Sequence, residues 1–374
     1  MSRLTQDQSQ QLDSIRALAA FAVLLGHTYQ TLLLPTLGSW FTLVVLVAQF
    51  AVMAFFVLSG FLIGKSACNN VRKHGVFSIG DYTKARVLRL YPPLIAALLL
   101  MLFLGLIAPH FFPSGSNALL PIEGVDFIRT GFVTSTADIW GALTFLNGFK
   151  VENPSANSPL WSLSLEAWYY VIAAAIFLWP GKKLLALLLV AATAFVTHGN
   201  SLFFLLAPVW FSGLVLALIH HRHPAMNSRI YTWLFLIMSV ALVAVTADAL
   251  WRDPSGNDVI YEKINMFRVV SGLWFACFMA MLLGGKLRFS TCLHKHASYS
   301  YTLYVIHFPI MLFALGVFQV FAYGSIVNSL MVSIGVVVVS LGASWSLSRW
   351  VENKAFMNAA LRSVMKRAGS KKTA

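Results

Sequence analysis

Arg16 and His27 lie eleven residues apart in the run DSIRALAAFAVLLGH. On a helix, eleven steps of roughly 100° return to nearly the same face, about 16 Å further along the axis. The residues between them are apolar, so this helix enters a membrane. Arg16 then sits near one surface, and His27 lies deep in the apolar layer on the same side of the helix. An ionisable group at that depth is costly and reads first as a functional group. The competing reading is a His bonded to a neighbouring helix for packing. As chemistry, a neutral imidazole there is a candidate general base.

The run YTKARVLRLYPPL (82–94) carries Arg86 and Arg89 three residues apart, on adjacent positions of one helix face at the membrane boundary. A basic anchor that sets topology is one reading. An anion clamp is the other, since guanidinium binds phosphate in a bidentate fork. Arg16 lies at the same depth, so three guanidiniums can converge on one polyphosphate. Lys65, at the end of FFVLSGFLIGK, can join them. Pro92 and Pro93 interrupt the backbone ladder just inside and are expected to bend the helix. Gly60 and Gly64 form a small-xxx-small pair, which means close helix packing; with Ser59 beside them, the same closeness leaves a slot for a thin, extended ligand arm.

SPLWSLSLEAWYY (158–170) holds Glu166, the one acidic residue inside any expected span. A carboxylate there must be paired, protonated or in contact with water. It can orient His27, accept a proton or bond a sugar hydroxyl. Trp161, Trp168, Tyr169 and Tyr170 read as an interfacial aromatic belt first and a carbohydrate platform second. In SYSYTLYVIHFPI (298–310), positions 300, 304 and 307 share a helix face, and Tyr301, Tyr304 and His307 suggest an internal cavity. His307 reads as a partner or ligand contact rather than a second base. His198, His220, His221, His223, His294 and His296 fall at loop ends, where solvation explains them. Cys68, Cys277 and Cys292 are too few and scattered for a disulfide framework or a zinc site, and no metal is expected.

The elements that position these residues follow from composition. Of 374 residues, 58% are hydrophobic and 11% charged, with a mean hydropathy of +0.75. Apolar runs of spanning length recur along the chain, which implies an all-α polytopic membrane bundle. Ten spans are expected at roughly 15–33, 41–64, 88–108, 160–179, 183–197, 201–219, 230–248, 266–285, 300–321 and 327–348. The formal charge of +14 is unevenly placed. One set of connections holds Lys65, Arg72, Lys73, Lys84, Arg86 and Arg89 and most later basic residues. The other holds Arg129, Lys150, Arg252, Lys263 and the borderline Arg268. This asymmetry puts both termini in the cytoplasm and speaks for anionic lipid rather than nucleic acid as the charge partner. The first helix follows a polar segment without a cleavage site and is retained. The stretch 139–149 is apolar but too short to span, hence re-entrant or interfacial. The bundle domain is expected over 1–350, followed by a basic cytoplasmic tail, 351–374. No room remains for a separate soluble catalytic domain, so any chemistry occurs within the bundle.

The chain as a whole resembles the acyltransferase-3 family of integral-membrane acyltransferases. The resemblance rests on Arg16 with ten residues before His27, on FFVLSGFLIG, and on Arg86-x-x-Arg89-x-x-Pro92. It continues in LWSLSLE ending at Glu166 and in SYSYTLYVIH ending at His307. It implies transfer of an acyl group, commonly acetyl, from cytoplasmic acyl-CoA to a hydroxyl on the far side of a bacterial inner membrane. The acceptors it implies are surface glycans or lipid-linked sugars. An appended esterase-like domain, which some members carry, is not expected here. Combined with the residues above, the resemblance makes Arg16, Arg86, Arg89 and Lys65 the phosphate contacts. Ser59, Tyr301 and His307 then line the donor path. His27 is the base, with Glu166 beside it, and Trp161, Trp168 and Tyr169 lie toward the acceptor. Direct attack and an acyl-histidine intermediate both remain open. The rivals are a transporter or flippase of a lipid-linked sugar, with His and Glu as proton relay, and a membrane acyltransferase acting on lipid or protein. A transporter calls for inverted repeats with broken helices, which the sequence does not display. The lipid- or protein-acylating enzyme would make His307 the dominant histidine.

Overall fold

Apolar stretches of spanning length become helices because a helix satisfies its own backbone groups without water. The computed structural model describes residues 4–37, 40–121, 130–226, 229–251, 257–353 and 356–357. In chain order the helices are α1 (Gln6–Thr28), α2 (Leu34–Leu37), α3 (Phe41–His74), α4 (Ile79–Phe111), α5 (Thr136–Leu143), α6 (Leu160–Leu178), α7 (Lys183–Thr197), α8 (Ser201–Arg222), α9 (Arg229–Leu250), α10 (Asn257–Leu283), α11 (Ser300–Ala322) and α12 (Ile326–Val351). Among the described residues there is no strand. The basic tail expected at 351–374 lies almost entirely outside them.

Nine of these helical stretches, with α1 counted through to Leu37, are long and apolar enough to cross a membrane. The tenth expected span, α7, has only 15 residues. At 1.5 Å per residue it is about 22 Å long, short of the roughly 30 Å hydrocarbon core. Its far end does not need to travel the whole distance, because α5 and the turn after it dip into the bundle to meet it. The Tyr91 hydroxyl donates to Leu143 O at 2.9 Å. The Trp168 indole donates to Phe145 O at 2.9 Å. Tyr91 lies twelve residues along α4, about 18 Å from its start, so the 139–149 stretch is inserted. Asn200, at the start of α8, then donates to Gly148 O at 2.7 Å.

Contacts between remote helix ends show the up-and-down order. At one end of the bundle, Gln8 Nε2 donates to Leu283 O at 2.9 Å and Phe289 N donates to Gln11 Oε1 at 2.7 Å. At the other, Thr36 and Ser329 hydroxyls lie 3.2 Å apart and the Tyr323 hydroxyl donates to Thr31 O at 2.7 Å. The last contact has a local cause. Pro35 has no N–H to give to Thr31 O, four residues before it, so the ladder widens there. Tyr29–Leu33 form a π-helical turn in which Leu34 N bonds Tyr29 O, and Tyr323 takes over the orphaned carbonyl. This turn begins two residues after His27, and such turns favour functional sites. Pro92 and Pro93, by contrast, lie inside one continuous helix, α4.

The spine of the bundle is the α3–α8 pair. A Cβ on Gly60 would sit 2.0 Å from Trp210 O, and one on Gly213 would sit 2.0 Å from Val57 O. The two backbones touch reciprocally, as a small-residue pair allows. Gly64 meets Ala217 in the same way. Gly60→Ala therefore forces two helices apart, and overpacking of this kind costs about 1–3 kcal/mol. We expect the variant to melt several degrees lower in detergent than wild type. An unchanged melting temperature would show that the contact gives way freely. α9 is the opposite extreme: none of its described side chains is buried.

Candidate functional site

Five helices, α1, α3, α4, α6 and α11, wall a narrow cavity of about 50 Å³ inside the bundle. Arg16, Arg89, Ser59, Glu166, Ser300, Tyr301 and Tyr304 line it with apolar neighbours from α3. The cavity thus brings Arg16, Arg89, Ser59, Glu166 and Tyr301, which come from five different stretches of sequence, to one place. Arg16 is braced by Asp13 at 3.1 Å and donates to Ala297 O at 3.2 Å, while its Nε is buried with no hydrogen-bond partner. Arg89 makes no hydrogen bond or ion pair among the described residues. The titratable groups acting on it electrostatically are Tyr170, Glu166, Tyr301 and Glu352. Two guanidiniums facing one narrow space, with donor capacity unspent, form a receptor for an anion.

Glu166 meets the requirement placed on a membrane carboxylate through hydroxyls. Its Oε1 accepts from both the Ser59 and the Tyr170 hydroxyls, and the Trp210 indole donates to Ser59 Oγ at 3.2 Å. That carboxylate is fixed on the cavity wall by three helices, α3, α6 and α8. Its hydrogen bonds are to these hydroxyls rather than to His27.

His27 instead belongs to a histidine pair. Its Nδ1 lies 2.9 Å from His307 Nε2, and the two rings are nearly parallel, 5° apart. Phe308 closes on His27 edge-on at 5.5 Å. His307 is buried, and its Nδ1 lies 2.9 Å from Leu303 O. A carbonyl oxygen only accepts, so His307 Nδ1 carries the proton and, in the neutral ring, its Nε2 accepts from His27 Nδ1–H. That chain fixes the His27 tautomer and makes Nε2 its basic nitrogen. Sequence reasoning gave His307 a partner role or a place on the donor path; here it contacts His27, Leu303 O and the Tyr304 ring. Tyr304 links the two regions: it lines the cavity, bonds the Ser162 hydroxyl, and its ring centre is 6.2 Å from that of His307.

The remaining candidates take other positions. Arg86 lines a second, wider groove of about 300 Å³ between α4 and α6, while Arg16 and Arg89 line the first. Its Nη2 donates to Ser66 Oγ at 2.7 Å, its guanidinium stacks over Tyr82 and Tyr170, and its Nε is buried without a partner. Lys65 lies 3.0 Å from His220 Nδ1. His220 is buried, not at a solvated loop end as its position suggested. Tyr169 is fully buried, donating to Phe203 O at 2.6 Å, so it supports the core rather than offering a platform. Trp168 lines the groove. Trp161 packs on Phe56 and lies 6.0 Å from the Arg268 guanidinium. Arg268, which sequence reasoning left at the edge of a loop, is buried in α10 and bonds Gln49 and Asn265 at 2.8 and 2.7 Å.

Glu352 was missed. It accepts from Thr302 N at 2.9 Å and from the Thr302 hydroxyl at 2.5 Å, capping the first turn of α11 beside Ser300 and Tyr301. Burial raises its carboxyl above the usual range, outweighing the Thr302 bonds and the charges of Arg16 and Arg89. An acid directly after the last apolar run, at the depth of Arg16, was the available signal. A carboxyl raised in the folded state binds its proton more tightly there, so its contribution favours folding at low pH and is lost as pH rises through the raised value. Glu352→Gln keeps the acceptor and removes the charge. It should melt above wild type at pH 8, and the gap should close as pH falls toward 5. A constant gap would remove Glu352 titration as the cause.

A comparison with protein families matches residues 9–349 to one described as an acyltransferase domain. No curated protein and no solved structure matches the chain.

Proposed function

The chain belongs to the acyltransferase-3 family and is a multi-pass membrane O-acyltransferase, and from that premise we propose that it moves an acyl group, acetyl by preference, from acyl-CoA to a glycan hydroxyl. The observation that carries the donor assignment is the meeting of Arg16 and Arg89 in one narrow cavity, with Arg89 bonded to nothing described there. The donor phosphates bind these two guanidiniums from the cytoplasmic face of a bacterial inner membrane, on which both termini lie. The thin pantetheine arm follows Ser59 and Tyr301 toward Tyr304. The rise of about 16 Å from Arg16 to His27 sets the length the arm must cover.

At the far end, His27 Nε2 takes the proton of the acceptor hydroxyl as that oxygen attacks the thioester carbonyl. The His307 hydrogen bond holds the ring in the required tautomer and supports the imidazolium that forms. Collapse of the tetrahedral species breaks the C–S bond, and the proton passes to the departing thiolate. Products are the acylated glycan and free CoA. Glu166, fixed by Ser59 and Tyr170, orients the acceptor hydroxyl or the thioester end of the donor. Trp161 and Trp168 lie toward the acceptor side. Lys65 adds positive potential below the cavity.

The test is purified protein in nanodiscs with radiolabelled acetyl-CoA and a panel of bacterial surface glycans. Label transferred to one glycan, with one free thiol released per transfer, is the expected result. Absence of acetyl-CoA binding would overturn the donor assignment; binding with transfer only to lipid or protein would overturn the acceptor assignment.

A further inference from the structure

The groove between α4 and α6 is not part of the reactive cavity, and its chemistry differs from it. Its walls are apolar or aromatic: Val87 and Tyr91 on one side, Ala167 and Val171 on the other, with Phe145 and Trp168 at the far end. Val87 is 42% exposed on the rim, so the groove opens sideways, where a spanning helix meets lipid. Along α4 it runs from Ile79 to Tyr91, about 18 Å. One leaflet of a roughly 30 Å hydrocarbon core is about 15 Å deep. From Arg86 to Tyr91 it offers about 8 Å, room for the upper half of one lipid chain.

Its charge lies part-way along it, about 10 Å from Ile79 and about 8 Å from Tyr91 along α4. Arg86 is the one cation among its lining residues. Its guanidinium is held in place by Ser66 and sandwiched with the Tyr82 and Tyr170 rings, yet keeps a buried Nε with no partner. A fixed guanidinium at the membrane boundary, above an apolar slot open to the bilayer, matches a phosphate with a hydrocarbon chain attached. We propose that this groove binds one anionic phospholipid, its phosphate against Arg86 and one acyl chain lying between α4 and α6. The inference stands independently of the transfer reaction. It assigns Arg86 to a lipid rather than to the acyl donor. Tyr170 is the shared wall, with its ring against Arg86 and its hydroxyl on Glu166.

The experiment is native mass spectrometry of the protein released from nanodiscs of equal phosphatidylglycerol and phosphatidylcholine. The wild type should retain one phosphatidylglycerol with a preference of roughly tenfold, the scale of one charge-assisted contact. Arg86→Gln should retain either lipid equally. Val87→Trp, at an exposed rim position that leaves the fold alone, should retain neither. Equal retention of the two lipids by wild type, or the same retention pattern in all three proteins, would mean annular lipid only and would overturn the site. A retained isoprenoid phosphate in place of phospholipid would overturn the assignment of the occupant.

Discussion

His27→Ala should abolish glycan acylation while leaving insertion and acyl-CoA binding intact. Removing a positioned general base slows the chemical step by about 10²–10⁴-fold, whereas Arg16, proposed to hold the phosphates, lies about 16 Å away along α1 and is untouched. His307→Ala should mimic it only in part. His27 keeps its nitrogen, but the ring loses the 2.9 Å bond that selects its tautomer. The expected order of transfer rates is wild type, then His307→Ala, then His27→Ala. Single-turnover assays with saturating acetyl-CoA separate these effects from donor affinity. Full activity in a stably inserted His27→Ala protein would remove it as the base and shift attention to His307.

Arg89→Ala should cost the donor site most of its affinity. A hydrogen bond to a charged partner contributes about 1.5–3 kcal/mol, roughly a 10- to 150-fold change in dissociation constant. Among the described residues Arg89 is the cavity guanidinium with no hydrogen-bond partner, so its donors are available to the proposed phosphates. Arg16→Ala should be similar or worse for folding, since Arg16 also ties α1 to Ala297 O and pairs with Asp13 of its own helix. Lysine at 89 restores the charge but not the planar fork and should recover the affinity in part. Arg86→Ala should change donor affinity much less, because its side chain is in the lipid-facing groove. Calorimetric titration with CoA, which lacks the acyl group, reads all four without turnover. Equal losses for Arg86 and Arg89 would restore a single three-guanidinium clamp.

Much of this site was legible in the sequence because depth and helix face are both counted in residues. Arg16 and Arg89 were expected at one depth, the family resemblance grouped them with Ser59, Glu166 and Tyr301, and all five line one cavity. Arg86 escaped it: three residues leave two side chains about 60° apart around the axis, and a tyrosine wedged between them was enough to put them in different cavities. The His27–His307 bond joins residues 280 apart in sequence, and no periodicity says which helices touch. The π turn after His27 followed from Pro35, but only the arrival of Tyr323 at Thr31 O shows how its orphaned carbonyl is settled. His220 and Glu352 sit where apolar runs end, and run ends read as solvent when they are in fact helix-to-helix contacts. The stretch 183–197 was expected to span, and its 15 residues make a helix shorter than the hydrocarbon core.

The short α7 beside the inserted α5 gives the protein an uneven hydrophobic belt. On that flank it offers the bilayer about 22 Å of apolar helix instead of roughly 30 Å. Lipid accommodates such mismatch by thinning, at a modest cost for each ångström. The water boundary on the α5 side therefore lies deeper next to α6 than elsewhere around the bundle. A polar sugar approaching there keeps its hydration until it is near Glu166, a few residues into α6. Under the proposed transfer to a glycan, the locally compressed membrane brings the acceptor to the depth of Glu166 without a passage through oil.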